Sequence, residues 1–174
     1  ASRTDVALWA TEEPVLEGLT DFALTASATP YPFSYPEGPQ DAEALVIDQD
    51  GTPFVLTKRT DMSSRVYRIP TAGSTEAELI GTLSTGTIAG LPTATTAADL
   101  WAETGQLIVR GYLYTFEVQL GEDGMHTASS TPGTQVVTGI ELQGEAIAYD
   151  PAGPTIWHVS EGSNPQLWRI PCVD

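Results

Sequence analysis

Three acidic residues recur at a spacing of about fifty residues, Glu43, Asp99 and Glu145, each at the opening of an apolar run. Carboxylates brought onto one axis repel one another unless a cation, a proton or a basic neighbour intervenes. Oxygen ligands arriving from separate elements suit Ca²⁺, which takes 6–8 oxygens at about 2.3–2.6 Å. A catalytic metal or an acid–base pair is the second chemistry such a set could perform, with His158 assisting proton transfer. The third reading is structural. Each acid then pairs with Lys58, Arg59 or Arg110, or accepts backbone amides of the next element.

The elements that must position these residues are hairpins. DAEALVIDQDGTPFVLTKR (41–59) holds two β-rich runs around an Asp-Gly turn, and the same grammar returns in TAADLWAETGQLIVRGY (96–112) and QGEAIAYDPAGPTIWHVSEG (143–162). Helix signals are poor, while Thr, Val, Gly and Pro recur with frequent turns, so the fold class expected is all-β. Taking each repeat as a four-stranded antiparallel blade, the spacing predicts strands over 43–48, 54–59, 66–69 and 78–83. A second blade follows over 99–102, 106–110, 113–118 and 135–140, and a third over 145–149, 155–159 and 167–170. The opening DVALWA (5–10) matches the third-strand pattern of VYRIP and LWRIP, and TPYPFSY (29–35) sits where a fourth strand belongs.

The segments are therefore 1–40 (outer strands of a split blade), 41–92, 93–142, and the incomplete blade 143–174. So few blades do not close a ring, and open edges aggregate unless covered. The expectation is about half of a six- or seven-bladed β-propeller, completed by a second polypeptide such as the N-terminal half of the same precursor. The single cysteine, Cys172, cannot form an internal disulfide and is the candidate for an inter-chain bridge.

In a propeller the first strand of each blade lines the channel and the second returns beside it. Glu43, Asp99 and Glu145 are then expected around one channel mouth, with Asp41, Lys58, Arg110 and Glu161 on the same rim. The pairing expected is Thr57 or Lys58 opposite Glu43, Val109 or Arg110 opposite Asp99, and His158 beside Glu145. Asp48-Gln49-Asp50-Gly51 and Asp150-Pro151-Ala152-Gly153 read as turns, since the former lacks the later ligands of a calcium loop. His126, with Glu122 and Asp123 nearby, falls in a polar loop, and Trp9, Trp101, Trp157 and Trp168 read as blade-to-blade packing.

Composition narrows the partners. Seven Lys+Arg against 23 Asp+Glu give a formal charge of −16 in 174 residues, a surface that repels phosphate backbones and attracts cations. No run approaches the ~18 apolar residues of a membrane span. No basic-then-apolar leader opens the chain, as in a mature secreted or periplasmic protein. No phosphate loop, zinc spacing, dinucleotide fingerprint or G-x-S-x-G elbow occurs.

The motifs YPEGPQDAEALVID with VLTKR, then RVYRIP, then QGEAIAYD with VSEG and LWRIP resemble a family of mostly secreted bacterial β-propellers without an assigned reaction. That family is related in pattern to WD40-like and phytase-like esterase propellers. The resemblance runs from Val6 onward and implies that a further half, with an acidic loop before the VALWATEEP strand, belongs to the pattern. The function expected is an extracytoplasmic binding or scaffold module whose acidic mouth suits Ca²⁺. A metal-assisted hydrolase of lactonase or phosphoesterase type is the alternative, with Glu43, Asp99 and Glu145 on the metal.

Overall fold

The computed structural model describes residues 6–13, 27–61, 63–85, 87–88, 91–92, 94–126, 133–139, 141 and 143–171. Cys172 lies outside them, as does Asp5. Apart from a single 3-10 turn at Gly124–His126, the regular structure among these residues is all strand. In chain order the strands are β1 (Val6–Thr11), β2 (Ala28–Phe33), β3 (Ala42–Ile47), β4 (Pro53–Thr57), β5 (Ser63–Arg68) and β6 (Glu78–Ser84). Then come β7 (Thr87–Ile88), β8 (Leu91–Pro92), β9 (Thr95–Trp101), β10 (Gln106–Gly111), β11 (Thr115–Gln119) and β12 (Thr134–Val136). The last three are β13 (Gly144–Asp150), β14 (Gly153–Ser160) and β15 (Leu167–Pro171).

They form up-and-down antiparallel sheets in the orders β1-β2, β3-β4-β5-β6, β9-β10-β11-β12 and β13-β14-β15, with a separate small hairpin β7-β8. The sequence pattern explains why. In β3, alternate residues Ala44 and Val46 are buried while Leu45 and Ile47 face out, the period of a strand with one covered face. PFVLT of β4 is buried throughout, so both of its faces are covered and its run is continuously apolar. The β3–β4 turn closes on Gly51 at φ 81°, a conformation that a side chain would strain.

The core lies between sheets, not within one. Ala44, Val46, Phe54, Leu56 and Val66 meet Ala98, Leu107, Val109 and Val118 from the next sheet. Ile108, with Ala97 and Trp101, meets Ile147, Tyr149 and Ile156 from the third. On the other side Val55, Tyr67 and Ile69 pack on Val6, Leu8 and Phe33 of β1 and β2. Successive four-stranded meanders packed face to face, first strand beside first strand, are consecutive propeller blades.

Two expectations need correction. The second blade's first strand starts at Thr95, not Asp99, and Ile108 stands opposite Asp99. The cause is a bulge. Each first strand carries a register shift near its start, between Ala42 and Ala44, between Thr95 and Ala97, and between Gly144 and Ala146. The bulged residues are Glu43, Thr96 and Glu145, so Thr96 is the counterpart of the two glutamates. Trp9 and Trp168 are 68% and 43% exposed and do not pack between blades as expected: Trp9 alternates with Val6 and Leu8 away from the first blade, and Trp168 lies on the outermost described strand of its sheet.

Candidate functional site

At the bulged ends of the first strands, Lys58 Nζ lies 2.8 Å from Glu43 Oε1 and Oε2. The same ammonium donates to the Tyr112 hydroxyl and sits 4.5 Å from that ring's centroid. The Lys58 amide donates to the Asp41 carbonyl at 2.8 Å, and the Glu161 amide donates to the Gln143 carbonyl at 2.8 Å. Burial, followed by the Glu43 charge, pushes the Glu145 carboxyl above its ordinary range, while Lys58 and Arg110 pull the other way and Glu161 adds to the push. Glu43, Lys58, Arg110, Glu145 and Glu161 therefore share one electrostatic neighbourhood, to which Tyr112 is an addition that no spacing announced.

Asp99 is not on this rim. Its Oδ2 accepts the Tyr149 amide at 2.7 Å, tying the first strand of one blade to that of the next. Thr96 makes the neighbouring tie, donating from Oγ1 to the Gly144 carbonyl at 2.6 Å.

Just inside the rim, between the second and third blades, Arg110 is 2% exposed and ion-paired with Glu141. Its Nη1 also reaches the hydroxyls of Thr115 and Thr138, each at 3.3 Å. His158 stands beside this pair, with Nδ1 3.2 Å from Glu141 Oε2, and Ile147, not Glu145, is opposite it in the ladder. Burial and then the Arg110 charge hold His158 below its ordinary pKa against the pull of Glu141, so the ring is neutral and Nδ1–H donates to the carboxylate. Gly144 makes room for the group, since a Cβ there would collide with the Arg110 guanidinium. Glu141 is thus the carboxylate that anchors both Arg110 and His158.

The opposite ends of the strands hold a different cluster. Among the described residues, the His, Asp and Glu side chains whose ligand atoms converge are Asp48, Asp50 and His126, all within 4.8 Å of one another, and they could hold a metal ion. Asp48 accepts the Gln49 amide at 2.8 Å on Oδ1 and the Met125 amide at 3.1 Å on Oδ2. Asp50 accepts the Thr52 amide on Oδ1 at 2.8 Å, and its Oδ2 lies 3.5 Å from His126 Nε2. The Thr52 hydrogen bonds, with a smaller share from His126, keep the Asp50 carboxyl below its ordinary range. The three line a cleft of about 510 Å³ that Glu103, Glu122 and Asp123 also line, with no Lys or Arg among the lining residues. The Asp48–Asp50 turn was visible in the sequence. Its meeting with His126, across a blade boundary, was not.

The chain matches no family model and no curated protein. Among solved structures it resembles the PQQ-bound form of the aldose sugar dehydrogenase from Streptomyces coelicolor, at 14% identity and a TM-score of 0.48, over 80% of this chain and 50% of that one. The chain spans half the length of that structure. A likeness at this level carries nothing about activity. No helix among the described residues is long and apolar enough to cross a membrane.

Proposed function

We propose that this chain is part of an extracytoplasmic β-propeller that works as a binding or scaffold module and is completed by a second polypeptide. The observation that carries this reading is a mismatch between equivalent positions of the blades. Ile147 and Tyr149 of the third blade are each 8% exposed, whereas their counterparts in the first blade, Leu45 and Ile47, are 47% and 51% exposed. Over Leu45 and Ile47, two strands among the described residues, β1 and β2, face the first blade. At the other end, Val66 is fully buried and its counterpart Leu167 is 61% exposed, on the same open face as Ala146 and Ala148. Apolar faces of this kind are covered in an assembled protein.

A cation belongs to the proposal at Asp48, Asp50 and His126 rather than at Glu43, Asp99 and Glu145. The imidazole nitrogen suits Zn²⁺ or Mn²⁺ better than Ca²⁺, which selects oxygen. No observation favours the hydrolase alternative. His158 is 1% exposed beneath Trp168 and holds a neutral ring against Glu141, out of reach of a substrate.

Native mass spectrometry of the purified protein, without chelator or reductant, tests the reading. A mass well above 18.5 kDa is expected, and its fall on reduction would assign the link to Cys172. A bare monomer whose Leu45 and Ile47 are accessible to oxidative footprinting would refute completion by another chain.

A further inference from the structure

β5 and β15 are the same strand in two blades. Val66-Tyr67-Arg68-Ile69-Pro70 and Leu167-Trp168-Arg169-Ile170-Pro171 share the ending Arg-Ile-Pro. The ladders place them equivalently: Arg68 stands opposite Phe54 and Arg169 opposite Trp157, while Phe54 stands opposite Val46 and Trp157 opposite the equivalent Ala148. Their outer edges differ. β5 carries β6 on its far side, with Arg68 opposite Glu78 and Tyr67 opposite Leu79, and Arg68 and Glu78 form an ion pair. β15 has no strand on its far side among the described residues.

The side chains of β15 record the difference. Tyr67 is fully buried, whereas its counterpart Trp168 stacks on His158 at 6.3 Å and is still 43% exposed. Arg169 lies 5.7 Å from the Trp157 ring centroid. No carboxylate among the described residues is within ion-pair distance of it, and the charge acting on it is that of Asp150, which accepts from Trp157 Nε1. In the second blade the equivalent position is Glu117, which accepts from the Tyr149 hydroxyl of the third blade, and the residue opposite it on the fourth strand is Thr134, which carries no charge.

We infer that the open edge of β15 accepts one added antiparallel strand from the completing polypeptide, and that this strand places a carboxylate opposite Arg169 and an apolar residue opposite Trp168. The inference rests on the completion proposed above and names the chemistry of the piece that completes this blade. An unpaired strand edge supplies backbone hydrogen bonds to any strand, and the side chains opposite it select which one. A second copy of the same chain is the poorer occupant, because each copy carries −16.

The probe is a fluorescein-labelled peptide with the sequence of residues 76–85, which contains the strand that pairs with β5. It is titrated into the full chain at low salt and followed by anisotropy, with amide exchange of β1 and β15 read in parallel. Saturable binding that protects β15 is expected. Arg169→Glu should weaken it roughly three- to tenfold, and a peptide with Lys in place of the glutamate matching Glu78 should recover the loss on that variant. Where the protein is isolated with its partner, slow β15 exchange that quickens in Arg169→Glu is the equivalent support. The inference is overturned by absent or scrambled-tolerant binding with fast β15 exchange, or by binding that ignores Arg169→Glu. The two proposals separate cleanly. A copurifying polypeptide with freely exchanging β15 amides removes the strand inference alone. A bare monomer that binds the peptide through Arg169 removes completion by a partner and leaves the acceptor edge.

Discussion

Glu141→Gln isolates the most consequential ion pair of the molecule. Glutamine keeps the volume and one acceptor oxygen but leaves the Arg110 guanidinium, 2% exposed, without its ion-pair partner and with only the more distant Glu145 as counter-charge. Removing one partner of a buried pair costs about 3–5 kcal/mol, because the remaining charge stays desolvated. Arg110 retains two neutral acceptors, the hydroxyls of Thr115 and Thr138 at 3.3 Å, which places the loss toward the lower end, about 3 kcal/mol. In a chain of this size 1 kcal/mol moves the Tm by roughly 2–4 °C, so a fall of about 6–12 °C is expected. Urea denaturation gives the free energy directly, provided that the slope matches the parent protein. Arg110→Met combined with Glu141→Met, which removes both charges, should recover a large part of the loss. A loss below about 1 kcal/mol in Glu141→Gln would refute the reasoning, since it would mean that Arg110 is hydrated or paired elsewhere.

Other perturbations give outcomes of different sign. The Glu145 carboxyl is raised by burial and by Glu43, so its folded pKa exceeds the ordinary 4.5. The folded state then holds that proton more tightly, and the penalty is full above the raised pKa and disappears as pH falls to about 4.5. Glu145→Gln should therefore raise stability at about pH 7 and leave it unchanged well below pH 4.5, so that the loss of stability between about pH 4.5 and the raised pKa disappears, measured as urea midpoints against pH; a less stable variant at neutral pH would contradict this. Zn²⁺ or Mn²⁺ at ~100 times its Kd should stabilise the protein by about 2.7 kcal/mol in a thermal-shift assay, Ca²⁺ should do less, and Asp50→Asn should abolish the response. Gly124→Ala should cost about 1–2 kcal/mol in the same assay, because residue 124 sits at φ 55° and a Cβ would lie 2.9 Å from both Asp48 carboxylate oxygens.

Strands were legible wherever a residue's neighbours in sequence decide its face. The strand over 43–48, the Asp-Gly turn at 50–51 and the repeated Arg-Ile-Pro strands read correctly to within a few residues because apolar runs and turn chemistry are local. What failed was register. Thr96 and Asp99 both precede an apolar run, and only a bulge, which leaves no composition of its own, decides that Thr96 is the equivalent of Glu43 and Glu145. The same limit hides Glu141, a loop residue 31 positions from Arg110, so strand spacing alone puts Glu145 beside His158. Asp48 and Met125 are 77 residues apart, and nothing in either segment announces the other. Local pattern gives the strands; the chemistry sits where distant loops meet.

Because the apolar clusters lie between sheets, each sheet owes its stability to its neighbours, as in any linear stack of repeats. The sheets β3–β6 and β9–β12 are each held from both sides, whereas β1–β2 and β13–β15 are held from one. Opening free energy is therefore graded along the stack, highest in the middle and lowest at the two ends. The softest backbone coincides with the two surfaces proposed to meet another polypeptide. Docking there would anneal the ends as well as cover them, so assembly and the final stage of folding become a single event.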